Sequence, residues 1–205
     1  MTPDYWAQSK RCLARADPTL ARIMRRYPGI ALKRRGEPFF TLARAIVGQQ
    51  ISVKAADSVW RRFVDTVQAV EPEPVLETGK RALLGCGLSR RKAEYIFDLA
   101  RHFSSGAIEP RSWTALEDEA VIDRLTDVRG IGRWTAEMFL MFNLLRPNVL
   151  PLDDLGLQRA VSLNYYSGRK VSAATIKRLA RNWEPWRSVA TWYLWRSLDP
   201  VPVEY

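Results

Sequence analysis

Apolar residues in this chain recur every three or four positions, segment after segment, and they nowhere alternate over the length a strand needs. Phe39, Leu42, Ala43, Ile46 and Val47 form one such stripe, and Ala56, Val59, Trp60, Phe63 and Val67 form the next. Ala93, Ile96, Phe97, Ala100 and Phe103 follow, then Val121, Ile122, Leu125 and Val128, then Met138, Phe139, Phe142 and Leu145. Ile176, Leu179, Ala180 and Trp183, followed by Val189, Trp192 and Arg196, close the series. Side chains three and four apart share one face of a helix, so each stripe is a face that must be buried against another element. The chain is predicted to be all-α. With 205 residues and 47% hydrophobic residues it can bury a core as one domain, or as two lobes sharing a cleft.

The stripes are separated by recognisable breaks. "VEPEPV" (70–75) reads as a proline-rich connection, and "SSGAIEPRS" (104–112) as a loop. "GCGLS" stops one helix at glycine and offers Ser89 as the next N-cap, while Ser52 is an N-cap by its position. "RPNVLPLDD" (146–154) is predicted to be extended, because residues before proline avoid the helical region. No internal repeat, low-complexity tract or flexible linker interrupts the pattern.

The net charge is +10 and the sequence pI about 10.0. That suits a polyanionic partner, and equally a basic protein that is merely well solvated. Two cysteines (Cys12 and Cys86) and one histidine (His102) exclude a zinc site of familiar spacing, a disulfide framework and a four-cysteine iron–sulfur cluster. Their usage fits a reducing cytoplasm. The start, "MTPDYWAQSKRCLARADP", has no apolar signal core, and no apolar run is long enough to span a membrane. With Met1 in place, a native start and no membrane partner are expected.

Two stretches carry candidate chemistry. In "VRGIGRWT" (128–135) a very short connection joins two helical stripes. Gly130 and Gly132 permit positive φ and close backbone approach, so amides at the start of the second helix can meet a phosphate, with Arg133 adding charge. The same glycines also suit an ordinary tight corner. In "LDDLG" two carboxylates, Asp153 and Asp154, stand at a helix N-terminus, where the dipole and exposed N–H groups favour the ionised form. Asp153 is read as the cap.

"VRGIGRWTAEMF", with Leu125 before it, resembles the helix–hairpin–helix of the DNA glycosylase superfamily. "VLPLDDLGLQRA" (149–160) resembles that superfamily's catalytic segment, and "IVGQQISVKAA", "GLSRRKAEYI" and "WEPWRSVATWYLW" are similar to further segments in the same order. Together they cover most of the chain from about Phe39 onwards. Within the superfamily the resemblance is to the DNA-3-methyladenine glycosylase II branch, without an N-terminal β-domain.

The resemblance implies two helical lobes flanking a DNA-binding cleft. The central lobe is expected at about 38–146 and includes the helix–hairpin–helix at about 118–145; the second lobe is expected from about 1–37 plus 147–205. It makes Asp154 the catalytic carboxylate. Cleaving a base from deoxyribose passes through an oxocarbenium-like state, which a fixed anion stabilises, and the same carboxylate can orient water. Trp134 stands where strand-cutting members carry a lysine nucleophile. Indole cannot form a Schiff base, so a monofunctional enzyme is implied. Trp134 and Trp195 match an aromatic pocket, and Met138 stands where a relative has tyrosine. An alkylated purine is cationic, and its attraction to indole is about 0.5–2 kcal/mol per contact. Trp60 and Trp183 lie on apolar stripes and read as core, with Trp186 and Trp192 either core or behind the pocket.

Gln50 aligns with a residue that relatives insert into the base stack, while Gln49 and Ser52 read as turn and cap. DNA contacts are implied for Gly130, Gly132, Arg133, Thr135 and Lys92. Arg90 and Arg91 suit either a phosphate grip or a solvated face, and the basic run Arg25, Arg26, Lys33, Arg34 and Arg35 reads as surface. No cofactor is required, and neither zinc nor an iron–sulfur cluster is expected. A monovalent cation at the hairpin carbonyls is implied. The expected partner is double-stranded DNA with alkylated bases, met by a monomer in the cytoplasm, with the DNA of a nucleoid or nucleus. Two other readings stay open on the residues alone: a non-catalytic helix–hairpin–helix DNA-binding protein, and a glycosylase for other damaged or mismatched bases.

Overall fold

The computed structural model describes residues 2–198, and among these no strand occurs. The helices are α1 (Trp6–Ala16), α2 (Pro18–Arg26), α3 (Pro38–Gly48), α4 (Val53–Val67), α5 (Pro72–Gly85) and α6 (Arg90–Ser104). They continue with α7 (Asp118–Thr126), α8 (Arg133–Phe142), α9 (Leu155–Tyr165), α10 (Ala173–Leu179) and α11 (Arg187–Leu198). Short 3-10 turns occupy Pro110–Ala115 and Ala180–Trp183. The all-α expectation holds.

The stripes become buried faces. Phe39, Leu42, Ala43, Ile46 and Val47 are the buried residues of α3; Trp60, Phe63 and Val67 are those of α4. Ser52 and Ser89 cap α4 and α6 by accepting from Ala55 N–H and Lys92 N–H, each such cap contributing about 1 kcal/mol. The prolines behave differently from expectation at two places. Pro72 opens α5 inside the expected connection, and Pro110 opens a 3-10 turn inside the expected loop. A proline's missing N–H and fixed φ cost nothing in a first turn, so it starts helices as readily as it stops them.

The chain forms two compact units. Among the described residues, one comprises Arg35–Phe139; the other comprises the residues up to Arg34 together with those from Leu140 to Leu198. The second division falls inside α8. In the unit of 35–139, α6 packs on α5 and α3, and α4 packs on α3 and α5. Phe63, Val75, Leu83, Ile96, Leu99, Trp113, Val121 and Leu125 fill its core. In the other unit α11 packs on α9, α2 and α1. Ser188 through Leu194 are all buried, so α11 is enclosed on every side rather than amphipathic.

Asp17 binds this second unit together. Its carboxylate is buried, and Oδ1 accepts Thr19 N–H (2.9 Å) and Leu20 N–H (3.1 Å) as the cap of α2. Oδ2 accepts Tyr165 O–H (2.7 Å), at the end of α9, and Trp183 Nε1–H (2.9 Å). Burial first, and then the bond to Asp17, push the Tyr165 hydroxyl's pKa far above the ordinary tyrosine range. Replacing Asp17 with alanine removes a cap and leaves two buried donors without their acceptor, a loss of about 3 kcal/mol. Denaturant unfolding of Asp17→Ala is expected to show that loss; a change under about 1 kcal/mol would mean the network is dispensable.

Candidate nucleic-acid interface and catalytic carboxylate

In the unit of 35–139, residues 127–132 connect α7 to α8. The two glycines in this hairpin serve different ends. Gly130 has φ +85°, and a Cβ there would lie 2.2 Å from Tyr95 Cδ2, so the Tyr95 ring packs directly against the turn. Around Gly132 a Cβ would meet nothing within 4 Å, so the space before it is open to an approaching molecule. Buried Ile131 anchors the hairpin, and its N–H closes a turn onto Val128 O (3.1 Å). Arg129 N–H donates to Asp98 Oδ2 (3.0 Å), and Gln49 Nε2–H donates to Gly130 O (2.8 Å). Ala136 N–H donates to Gly132 O (3.1 Å) at the start of α8. An α-helix leaves its first amides without intrahelical acceptors and puts the positive end of its dipole there, which is what a phosphate needs.

The side chains expected to assist the hairpin are placed otherwise. Arg133 grips Glu119 with two parallel bonds (2.5 and 2.8 Å) and donates from Nε to Glu137 (3.1 Å). These partners drive the Arg133 pKa up, and the Arg133 hydrogen bond lowers that of Glu119. The positive charge of Arg133 is thus balanced within its own unit. Thr135 is buried. Lys92 donates from Nζ to Val47 O (2.8 Å), and burial lowers its pKa. Its ammonium faces the carboxyl end of α3, where a cation complements the dipole. The pairing of Arg133 with Glu137 was readable from their four-residue spacing; that with Glu119 was not.

Gln50 stands exposed in the turn between α3 and α4, with φ +57°. Ile51 and Val53 beside it are also exposed. Trp134 lies in the first turn of α8 and is 40% exposed, unlike buried Trp6, Trp60, Trp113, Trp183 and Trp192. Met138, one turn later and half-buried, shares its helix face.

In the other unit, the segment leading to α9, which turns at 147–148 and 152–153 instead of running extended throughout, is pinned along its length. Tyr5 O–H donates to Leu145 O (2.7 Å), and Ser188 O–H donates to Arg146 O (2.6 Å). Ser188 Oγ accepts Val149 N–H (2.9 Å), and Arg187 Nε donates to Asn148 Oδ1 (2.9 Å). Gln158 Nε2–H donates to Leu152 O (2.8 Å). The segment delivers Asp154, only 9% exposed, to the N-terminus of α9.

Asp154 is itself the cap of α9, a role the sequence assigned to Asp153. Asp153 lies one residue earlier, with its side chain exposed, in a turn closed by Asp154 N–H on Pro151 O (3.1 Å). Asp154 Oδ1 accepts Leu157 N–H (2.6 Å) and Trp195 Nε1–H (2.7 Å). Trp195 therefore holds the carboxylate with its edge, while its face stacks on Phe142 (centroids 5.9 Å apart, planes at 14°). Gly156 makes this possible: a Cβ there would lie 3.0 Å from Asp154 Oδ1 and 3.1 Å from Trp195 Nε1. Two N–H donors and the N-terminus of α9 face this carboxylate.

Residues 43–187 match the family described as HhH-GPD superfamily base excision DNA repair protein. Over 189 residues the chain is 32% identical to the putative DNA-3-methyladenine glycosylase YfjP of Bacillus subtilis, covering 88% of this chain and 66% of that protein. It is 33% identical over 165 residues to DNA-3-methyladenine glycosylase 1 of Schizosaccharomyces pombe, covering 78% of this chain and 72% of that one. Among solved structures, DNA-3-methyladenine glycosidase from Bacillus halodurans superposes with a TM-score of 0.86 at 34% identity, covering 93% and 89% of the two chains. The 3-methyladenine DNA glycosylase Mag1 of S. pombe, in complex with abasic DNA, gives a TM-score of 0.79 at 29% identity, covering 93% and 96%.

The two hairpin glycines are expected to separate in experiment. Gly130→Ala forces a side chain into positive φ and onto Tyr95, so melting should report a loss of about 2–4 kcal/mol. Gly132→Ala should leave stability within about 1 kcal/mol of wild type, yet weaken duplex DNA binding about tenfold by blocking access to the amides. Equal DNA affinity for Gly132→Ala and wild type would remove the phosphate role.

Proposed function

The chain belongs to the HhH-GPD superfamily of base excision DNA repair proteins, and from that premise we propose that it is a monofunctional DNA glycosylase for alkylated purines such as 3-methyladenine and 7-methylguanine. It acts as a monomer on double-stranded DNA wherever the cell keeps that DNA. The observation that carries the reading is the Asp154 carboxylate, held at the head of α9 by Leu157 N–H and Trp195 N–H.

The hairpin amides at Gly130 and Gly132 take a phosphate, and Gln50 enters the stack as the damaged nucleotide leaves it, an extrusion that costs a few kcal/mol. The indole of Trp134, with Met138 beside it, receives the electron-poor ring. Alkylation has already weakened the glycosidic bond. As that bond breaks, positive charge develops on the sugar, and the Asp154 carboxylate stabilises it. Water adds to the anomeric carbon and its proton is lost. Trp134 offers no amine, so no covalent sugar adduct forms and the abasic strand is left intact. The hydrolysis calls for no metal or organic cofactor. A monovalent cation at the hairpin fits the neutral carbonyls there. Gly130 O and Val128 O each already accept one N–H, from Gln49 and Ile131, and each keeps a second lone pair that could serve such a cation.

Methylated duplex DNA tests the reading. Free methylpurine is expected, with strands cut only after alkali. Asp154→Asn is expected to bind duplex within about twofold of wild type and to lose about a hundredfold or more in single-turnover excision. Binding without base release would favour the non-catalytic module, and nicking without alkali a lyase.

A further inference from the structure

The turn carrying Gln50 and the hairpin carrying Gly130 and Gly132 are 81 residues apart in sequence and meet at one hydrogen bond, from Gln49 Nε2–H to Gly130 O (2.8 Å). A carbonyl oxygen only accepts, so the amide nitrogen is the end of Gln49 that faces it. Both loops rest on the same helix. Lys92, Tyr95 and Asp98 follow one another at three-residue spacing along α6, which puts them along one side. Lys92 donates to Val47 O at the root of the Gln50 turn, Tyr95 packs against Gly130, and Asp98 accepts Arg129 N–H. The roots of both loops are therefore fixed to a common backing. Gln50 itself, at the tip, is exposed and in the left-handed region, a conformation a non-glycine residue keeps only when its neighbours impose it. The neighbour tied down is Gln49.

We infer that Gln49 is a positioning residue, which fixes the spacing between the side chain inserted into the base stack and the amides that grip the phosphate. The inference rests on the glycosylase reading above and deepens it. Phosphate contact at the hairpin then delivers Gln50 to the stack at a set register, instead of leaving its turn to search. Gln49 touches neither base nor sugar; it acts through Gln50. Losing its bond should therefore slow extrusion and spare simple DNA binding. A residue needed only for folding or for the hairpin would lower both together.

The test uses the full chain, with Gln49→Leu and Gln49→Glu. Each variant keeps nearly the side chain's length and lacks the N–H donor, and the two differ in charge, so an effect common to both follows from the lost donor. Extrusion is followed by stopped-flow fluorescence of 2-aminopurine beside a methylated base, and affinity by titration of undamaged duplex over a range of salt. Both variants should extrude about three- to tenfold more slowly, the worth of one neutral hydrogen bond. For Gln49→Leu, undamaged-duplex affinity and its salt slope should stay within about twofold of wild type, since the hairpin amides are unaltered; the charge of Gln49→Glu lowers affinity at low salt, so that variant is compared at a salt concentration where its affinity matches wild type. In a Gln50→Ala background, Gln49→Leu should slow extrusion no further. The inference is overturned by wild-type extrusion in both variants, by a parallel fall in the undamaged-duplex affinity of Gln49→Leu, or by losses that multiply in the double variant. Normal extrusion and excision by wild type, with unchanged variants, would sink only the role of Gln49. A wild-type protein that binds duplex but neither extrudes nor releases the base would sink the glycosylase reading as well.

Discussion

A carboxylate at 9% exposure is unfavourable unless donors replace the water it has lost, and Asp154 receives such donors from Leu157 N–H and Trp195 N–H. Much of its unit serves that arrangement. The cap needs the first turn of α9 in place, and the indole needs α11 in place. α9 is fixed at both ends by aspartates: Asp154 at its start and, through Tyr165, Asp17 at its finish. α11 is enclosed on all sides, and Ser188 and Arg187 in its first turn hold the segment that leads to Asp154. Packing, capping and the candidate reacting group are thus one connected structure.

The other unit solves a different problem, presenting two loops on a firm base. α6 supplies that base through Lys92, Tyr95 and Asp98. Because Arg133 is engaged by Glu119 and Glu137, the proposed phosphate contact at the hairpin falls to backbone amides and the helix dipole instead of that guanidinium. On the proposed function, the net charge of +10 contributes a diffuse attraction for DNA, and the hairpin backbone supplies the local contact.

Helical periodicity is local, so the stripes of α3, α4 and α6 and the serine caps at Ser52 and Ser89 were legible from the sequence. The hairpin was legible too, since its glycines and its flanking stripes lie within one short window. The placements that escaped depend on partners distant in sequence. Trp195 was read as a pocket wall, but its N–H reaches a carboxylate 41 residues away. Lys92 was read as a phosphate contact, but it meets a carbonyl 45 residues away. Gln49 does lie in the turn expected of it, and only its bond to a carbonyl 81 residues away was out of local reach. The choice between Asp153 and Asp154 as cap turned on where one tight turn closes, which adjacent identical residues cannot reveal. Gly156 carried a signal in retrospect, as a glycine in the first turn of a helix where a side chain would otherwise be favoured.

The central claim is that Asp154 stabilises positive charge on the sugar. Duplex DNA bearing a cationic pyrrolidine in place of the target sugar mimics that charge, and a neutral tetrahydrofuran of the same shape does not. Comparing the affinity of wild type and Asp154→Asn for the two isolates the charge interaction. The account predicts that wild type prefers the cationic analogue by about a hundredfold, and that Asp154→Asn loses most of the preference, a difference of about 2–3 kcal/mol. An equal preference in both proteins would contradict it.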